Sequence, residues 1–187
     1  MVESTDFVFD WYNFEESLGE VEDREEVSDG GNVYSGQWQG DKKHGRGTYS
    51  DQRGNSYAGY FKSNKRHGKG RENYWDGNIY EGEWVANCRH GNGIYWYLNG
   101  DRYEGAWKNS TQTGQATMYY IDGARYTGTW RNSKRHGQGQ MFNPQKELIY
   151  RGEWDHGKRY GHGIAYEKGK VIYEGQWEWD QPIKRII

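Results

Sequence analysis

The chain has 187 residues, enough for one domain or one elongated array, and a formal net charge of −2 at neutral pH. Val, Ile, Leu and Phe together supply only 24 residues, too few for a thick core, yet 10 Trp, 17 Tyr and 28 Gly argue against a disordered chain, because aromatic rings bury large areas. A lone cysteine, Cys88, excludes an intrachain disulfide framework, and no run approaches the roughly 18 apolar residues of a membrane-spanning helix.

Residues 1–30 form an acidic leader, with eleven acids against the single base Arg24. The remaining residues, 31–187, hold 16 acids and 24 bases, a net of +8. Met1 to Asp10 carry no basic and apolar pattern of a signal peptide, so a reducing cytoplasmic setting is expected. Within the leader, Phe7, Phe9, Trp11, Tyr12 and Phe14 crowd into eight residues. They read either as a cap over the first repeat, as repeat arrays require, or as a docking peptide for another subunit. Glu15 to Asp29 reads as an acidic linker.

From residue 31 the sequence is periodic. A Tyr-x-Gly-x-aromatic unit starts at Tyr34, Tyr57, Tyr80, Tyr103, Tyr126, Tyr150 and Tyr173, at intervals of 23 residues with one of 24. A His-Gly-x-Gly motif follows in phase at His44, His67, His90 and His136, and is degraded at Thr113 and Tyr160. Asp76-Gly77, Asn99-Gly100 and Asp122-Gly123 supply hairpin-type turn chemistry between units. Alternation along a strand puts Tyr80, Gly82 and Trp84 on one face. A register pairing Gly82 with Gly93 sets Tyr80 opposite Tyr95 and Trp84 near Gly91, and leaves a glycine floor that rings can cover. The prediction is six full repeats and a partial seventh over 31–187, advancing roughly 9–10 Å per two-stranded repeat. Beyond the last complete repeat, Trp177, Trp179, Ile183, Ile186 and Ile187 mark an apolar end that a partner or a second copy of the chain could cover.

Two constellations are candidates for binding. The aromatics of the array's middle, Tyr80, Trp84, Tyr95, Tyr103, Trp107, Tyr126, Trp130 and Trp154, could line a groove for a protein partner; the competing reading is that each ring simply stabilises the sheet. A basic column precedes each His-Gly: Lys42, Lys43, Lys65, Arg66, Arg89, Lys134, Arg135, Lys158 and Arg159, interrupted by Thr111-Gln112. It reads as a solvated edge that deters aggregation or as a strip for an acidic partner: anionic lipid, an acidic protein surface or the chain's own leader. Nucleic acid is not expected, since no base-reading module is present. Histidines one repeat apart are too far spaced to share a metal held at about 2 Å, and local hydrogen bonding is the simpler reading. No catalytic, cofactor or metal residue is assigned, and Cys88 reads as an incidental loop residue. The Gly-x-Gly elements lack the strand–turn–helix setting of a phosphate loop.

The Tyr-x-Gly-x-Trp unit followed by Gly-x-Gly resembles the MORN-repeat family over about 34–187. The resemblance implies an all-β fold: an elongated, twisted, single-layer sheet of consecutive antiparallel hairpins. Enzymatic relatives carry a separate catalytic domain such as a SET or lipid-kinase domain, and here only some thirty residues lie outside the repeats, so the resemblance implies a non-catalytic scaffold. Tyr80-Glu-Gly-Glu-Trp84 through Arg89-His-Gly-Asn-Gly93, the run Tyr95-Trp96-Tyr97 and the acidic leader are similar to the radial spoke head MORN proteins of motile cilia and flagella. Degradation of the motif at Thr113 departs from the pattern. That likeness implies an axonemal structural subunit with protein partners, and the basic column leaves open an adaptor that holds anionic lipid.

Overall fold

A computed structural model describes residues 20–28 and 30–183. Among them are fifteen strands and no helix, joined in one open sheet whose spatial order is the chain order. The strands are β1 (Glu22–Val27), β2 (Val33–Gln39), β3 (Lys42–Ser50), β4 (Ser56–Lys62), β5 (Lys65–Asn73), β6 (Ile79–Val85), β7 (Cys88–Trp96), β8 (Arg102–Lys108), β9 (Thr111–Tyr119), β10 (Arg125–Arg131), β11 (Lys134–Phe142), β12 (Leu148–Asp155), β13 (Lys158–Glu167), β14 (Lys170–Glu178) and β15 (Gln181–Pro182). Every neighbouring pair is antiparallel. The all-β, single-layer hairpin array expected from the repeat is the observed fold.

Each repeat is a hairpin closed at one long edge by a tight bend. The bends Ser63-Asn64, Ala86-Asn87, Asn109-Ser110 and Asn132-Ser133 hold two successive residues at positive φ. That is the primed turn geometry that matches strand twist, and it is costly for residues other than glycine. Hydrogen bonds to the neighbouring repeat offset the cost. The Lys43 amide donates to Asn64 Oδ1 (2.7 Å), Arg66 to Asn87 Oδ1 (2.8 Å) and Arg89 to Ser110 Oγ (3.1 Å). The bend residue returns the bond from its own amide, Asn64 to the Lys43 carbonyl and Asn87 to that of Arg66. The edge is thus fastened repeat to repeat.

The register follows the glycines. Gly82 faces Gly93 and Tyr80 faces Tyr95, as the alternation predicts. Trp84, however, faces Arg89, not Gly91; Gly91 pairs instead with Trp107 of the next repeat. The cause is a bulge at Gly91 and Asn92, between His90 and Gly93. Gly91 adopts φ +56°, and the Glu83 carboxylate accepts the Asn92 amide (2.9 Å), so the strand gains residues there.

A second correction concerns the leader. Glu22–Val27, expected as linker, is a strand that pairs along its whole length with β2. It is exposed throughout, and the sheet therefore begins before residue 30. The Arg24 guanidinium lies 4.5 Å over Trp38, covering a ring that the first repeat would otherwise leave bare. The aromatic cluster Phe7–Phe14 lies outside the described residues, as do Ile186 and Ile187. At the other end, β14 pairs with β15 through only two residue pairs, and Trp179 and Ile183 are exposed.

Glycine is required where the two strands of a repeat meet. A Cβ at Gly82 would stand 2.5 Å from Gly93 Cα, and one at Gly93 would stand 2.6 Å from Tyr80 Cε2. Gly93→Ala is therefore expected to destabilise the protein by about 1–3 kcal/mol, the usual range for overpacking. Equilibrium urea unfolding of the variant beside the parent checks this; an unchanged midpoint would refute the packing argument.

Candidate functional site

One face of the sheet is a continuous zipper of rings. Tyr34, Tyr57, Tyr80, Tyr103, Tyr126 and Tyr150 are almost fully buried, and Trp38, Phe61, Trp84, Trp107, Trp130, Trp154 and Trp177 lie between them. Each tyrosine meets the aromatic of its own repeat and that of the next edge-on. Tyr80 stands 5.1 Å from Trp84 at 87° and 5.3 Å from Trp107 at 78°. Tyr103 repeats the arrangement with Trp107 and Trp130, and Tyr126 with Trp130 and Trp154. Such edge-to-face pairs add about 0.5–1.5 kcal/mol beyond area burial, so the zipper couples every repeat to its neighbours.

The polar ends of the rings are also used. The Tyr80 hydroxyl donates to the Glu83 carbonyl (2.9 Å) and Tyr103 to that of Ala106 (2.9 Å). Indole N–H groups reach back one repeat: Trp84 to the Gly70 carbonyl (3.2 Å), Trp107 to Gly93 (3.3 Å) and Trp177 to Gly163 (3.1 Å). The indole N–H groups of Trp130 and Trp154 are buried with no protein acceptor. For Trp130, Ala116 replaces the usual glycine; the structure offers no corresponding reason at Trp154.

The rings proposed from the sequence as a groove are thus placed together, but as core. Tyr80, Trp84, Tyr103, Trp107, Tyr126, Trp130 and Trp154 are buried, and only Tyr95 remains half-exposed, its ring 4.7 Å from that of Tyr97 and tilted to it by 57°. A sheet with no second layer must bury its rings against one another, and it does so with side chains from the same face. What the surface of that face retains, among the described residues, is the half-buried set Tyr49, Tyr74, Tyr95, Tyr97, Tyr120, Met141 and Tyr173.

The basic column divides in two. Adjacent residues of a strand point to opposite faces. The second member of each pair folds over the zipper: Arg66 lies 4.4 Å from the Trp84 ring, Arg89 4.6 Å from Trp107, Arg135 4.3 Å from Trp154 and Arg159 4.3 Å from Trp177. Lys43 sits over Tyr34 in the same way. These cations form the lid of the aromatic face, each worth about 0.5–2 kcal/mol there. Arg66 also pairs with the buried Glu72, and Arg135 donates to the Gly157 carbonyl (2.6 Å). Only the first members, Lys42, Lys65, Lys134 and Lys158, stand exposed as an outward strip. At the interruption, Gln112 is buried on the same face but turns the other way, donating to the Tyr97 hydroxyl of the preceding repeat (2.7 Å).

The histidines do not converge. The Nδ1 atoms of His44 and His90 are buried without a hydrogen-bond partner, whereas His136 Nδ1 lies 3.1 Å from Asp155 Oδ1. His156 holds the other carboxylate oxygen at 2.9 Å, and its hydrogen bond keeps the Asp155 carboxyl below the usual carboxylate range. These three residues line a cleft of about 500 Å³ with Arg131, Asn132 and Lys134. Among the described residues no group of three His, Cys, Asp or Glu side chains is placed to hold a metal ion.

A family profile described as the MORN repeat matches residues 34–56, 57–79, 80–102, 103–125, 126–144, 150–169 and 173–182. The chain belongs to the MORN-repeat family. The profile's phase begins at the zipper tyrosine of each hairpin, so a MORN unit here is one Tyr–Gly–Trp strand, its bend and the returning glycine strand. A search of curated proteins found no match. Similar solved structures include the TCP domain of SAS-4 (dCPAP) of Drosophila melanogaster in complex with a proline-rich motif of Ana2 (dSTIL), with 13% identity, 80% of this chain and 78% of that chain covered, and a TM-score of 0.41. The wild-type TCP10 domain of Danio rerio CPAP in complex with a peptide of STIL is 12% identical, with coverage of 83% and 79% and a TM-score of 0.30.

Burial governs the titration of the zipper. It pushes the phenols of Tyr34 and Tyr150 up to about 12, and those of Tyr57, Tyr80, Tyr103 and Tyr126 further still. A raised folded value means that this stabilisation is complete below the unfolded value near 10 and is lost as pH rises through 10 towards 12 and beyond. The expected outcome of an alkaline titration is cooperative unfolding in that window. Tyrosinate absorbance from the zipper should rise together with loss of the β circular-dichroism signal. Gradual ionisation of these tyrosines with the sheet intact would contradict their placement.

Proposed function

We propose that this MORN protein is a non-catalytic structural subunit of the ciliary or flagellar axoneme, of the radial spoke head type, that positions protein partners along its array. The observation that carries the scaffold part is the zipper itself. Ring contacts and bend hydrogen bonds run without a break from β2 to β14 and make one stiff ribbon on which binding points keep a fixed spacing. The axonemal part is supported by the similarity of the stretch from Tyr80 to Tyr97, and of the acidic leader, to radial spoke head proteins. Partner contact on the aromatic face falls on the half-buried tyrosines and the guanidinium lid, with the buried rings as the rigid floor beneath. Homodimerisation through the exposed apolar end around Trp179 and Ile183 is a further element of this reading.

A second reading, an adaptor that holds anionic lipid at a membrane junction, is favoured by one observation. Lys42, Lys65, Lys134 and Lys158 stand exposed along one edge, and each base close to an anionic leaflet contributes about 1 kcal/mol. Against it stands the loss of their arginine neighbours to the aromatic face.

Two measurements separate the readings. A tag at the endogenous locus in a ciliated cell should concentrate along the axoneme; diffuse cytoplasmic signal with empty cilia removes the axonemal assignment. Sedimentation with vesicles of phosphatidylserine and phosphatidylcholine should leave the protein in the supernatant at physiological salt. Binding that Lys42→Glu/Lys65→Glu abolishes would favour the lipid reading instead.

A further inference from the structure

The long edge opposite the bends carries large apolar side chains that the sheet does not use. Trp75, Leu98 and Ile121 are 68%, 72% and 71% exposed and occupy the same turn position in three consecutive repeats. Isolated exposed apolar residues need no explanation, but an aligned row of three is a candidate interaction surface.

The row is built rigidly. The backbone amide of each residue is held by a side chain of the preceding turn: Trp75 by Asn55 Oδ1 (3.0 Å), Leu98 by Asn78 Oδ1 (2.9 Å) and Ile121 by Asp101 Oδ1 (2.9 Å). Each side chain leans onto the preceding turn's glycine, where a Cβ would stand 2.8 Å from Leu98 Cδ1 at Gly77 and 2.6 Å from Ile121 Cδ1 at Gly100. The row has two ends. On one side the equivalent residue is Gln52. On the other, Ala124 offers no acceptor, and the residue it would hold is Pro144, which has no amide to donate.

Charge and backbone state what kind of partner fits. The turns 74–78, 97–101 and 120–124 contain Asp76, Asp101 and Asp122 and no lysine or arginine, in an array that is otherwise basic. The cations that directly follow two of these turns are turned away: Arg102 pairs with Glu104 (3.0 Å) and lies over Tyr119, and Arg125 lies over Phe142; Arg53 stands one turn earlier, at the position that Asp76 fills, beside Gln52 where the row ends. The turn backbones are already bonded, Tyr74 to Asn78, Gly77 to Tyr74, Tyr97 to Asp101 and Gly100 to Tyr97. An added β-strand needs free N–H and C=O groups and finds few there, so the contact must be made by side chains. Successive ridge residues stand on the order of 10 Å apart, close to two turns of an α-helix at about 5.4 Å each.

We propose that Trp75, Leu98 and Ile121 form a docking ridge for a basic amphipathic α-helix of a partner protein. Apolar residues at i, i+7 and i+14 of that helix meet the ridge, and flanking lysines or arginines meet Asp76, Asp101 and Asp122. The inference rests on the reading of the chain as a protein-binding scaffold. The chain's own aromatic leader is a poorer occupant, since residues 1–20 hold six acids and no base and join the sheet at Glu22, which pairs with Trp38 beside the opposite edge. A second copy docking ridge to ridge would set aspartates against aspartates.

The test uses a labelled synthetic peptide of about 18 residues, with leucines at helical spacing and lysines on the flanks, and reads fluorescence anisotropy against the full chain. Two control peptides carry glutamate for lysine, or a central proline that breaks the helix. The expected result is saturable binding of the basic helical peptide and at least tenfold weaker binding of both controls. Trp75→Ser/Leu98→Ser/Ile121→Ser should weaken binding at least tenfold with the thermal midpoint unchanged, while Lys65→Glu/Lys134→Glu on the other edge should not weaken it. Should the triple variant fail to fold, Asp76→Asn/Asp122→Asn, which keeps the turn acceptors, should weaken binding and flatten its dependence on salt. No binding, equal binding by the glutamate peptide, or undiminished binding by the ridge variants overturns the proposal, as does ridge-dependent self-association in light scattering without peptide binding. If the basic helical peptide does not bind while partner proteins from ciliated cells still co-purify with the parent chain, the ridge is refuted and the scaffold reading stands.

Discussion

The contact on which everything else in this molecule depends is a tyrosine ring packed closely over a pair of facing glycines. A single-layer sheet has no opposing layer to receive its apolar side chains, so it must generate a core from one face. Glycine at the crossing point makes this possible: with no Cβ at Gly82 or Gly93, the Tyr80 ring can descend onto the backbone and leave its edge free for Trp84 and Trp107. The cost is the conformational freedom of glycine-rich strands, which would not persist in isolation. The ring contacts between repeats offset that cost, and they exist only when a neighbour is present. Order therefore spreads along the array by nearest-neighbour coupling.

The cations show how the same constraint reaches the surface. A ring zipper on one face still leaves its upper surface open to water, and the array covers it with guanidinium groups drawn from the bend edge. Arg66, Arg89, Arg135 and Arg159 each span from one repeat to the tryptophan of the next, so they tie neighbours together as well as shielding the rings. Gln112 instead reaches back to the Tyr97 hydroxyl of the preceding repeat, so its position adds no cation to the lid over Trp130. A basic column in such a sequence is thus two structures at once: an internal lid and an external strip of lysines.

Much of this was legible in the sequence, and the parts that were not share one cause. The hairpin array, the pairing of Gly82 with Gly93 and the common face of Tyr80 and Trp84 follow from period and alternation alone. The bulge that moves Trp84 from Gly91 to Arg89 depends on a positive φ at Gly91 and a capping carboxylate from Glu83, neither of which a period reveals. The burial of Trp84, Trp107 and Trp130 was ambiguous, because face membership does not say whether a ring is open to a partner or closed by its neighbours. The split of the basic column was within reach, since Lys65 and Arg66 are adjacent in one strand and must face opposite ways. The strand at Glu22–Val27 was not: four acids in six residues carry no β signal, and only the exposed edge of β2 recruits them. Trp75, Leu98 and Ile121 were visible as one turn position in three repeats, but their exposure is a property of the turn's direction.

Coupling at both long edges explains why departures from the repeat are matched locally. At the bend edge, a side-chain oxygen of one bend accepts the amide at the start of the preceding repeat's return strand; at the turn edge, Asn55, Asn78 and Asp101 accept from the turn that follows. A change on one side of such a junction leaves a donor or acceptor unsatisfied unless the other side changes too. Ala124 and Pro144 are the matched case: the acceptor is missing where the donor is missing. Gln112 and Tyr97 are another, in which a shortened, uncharged side chain finds a hydroxyl within reach. In a globular core such replacements would disturb many neighbours together. In a ribbon each junction has two sides only, so surface chemistry such as an apolar ridge on three turns can vary while the zipper beneath it stays intact.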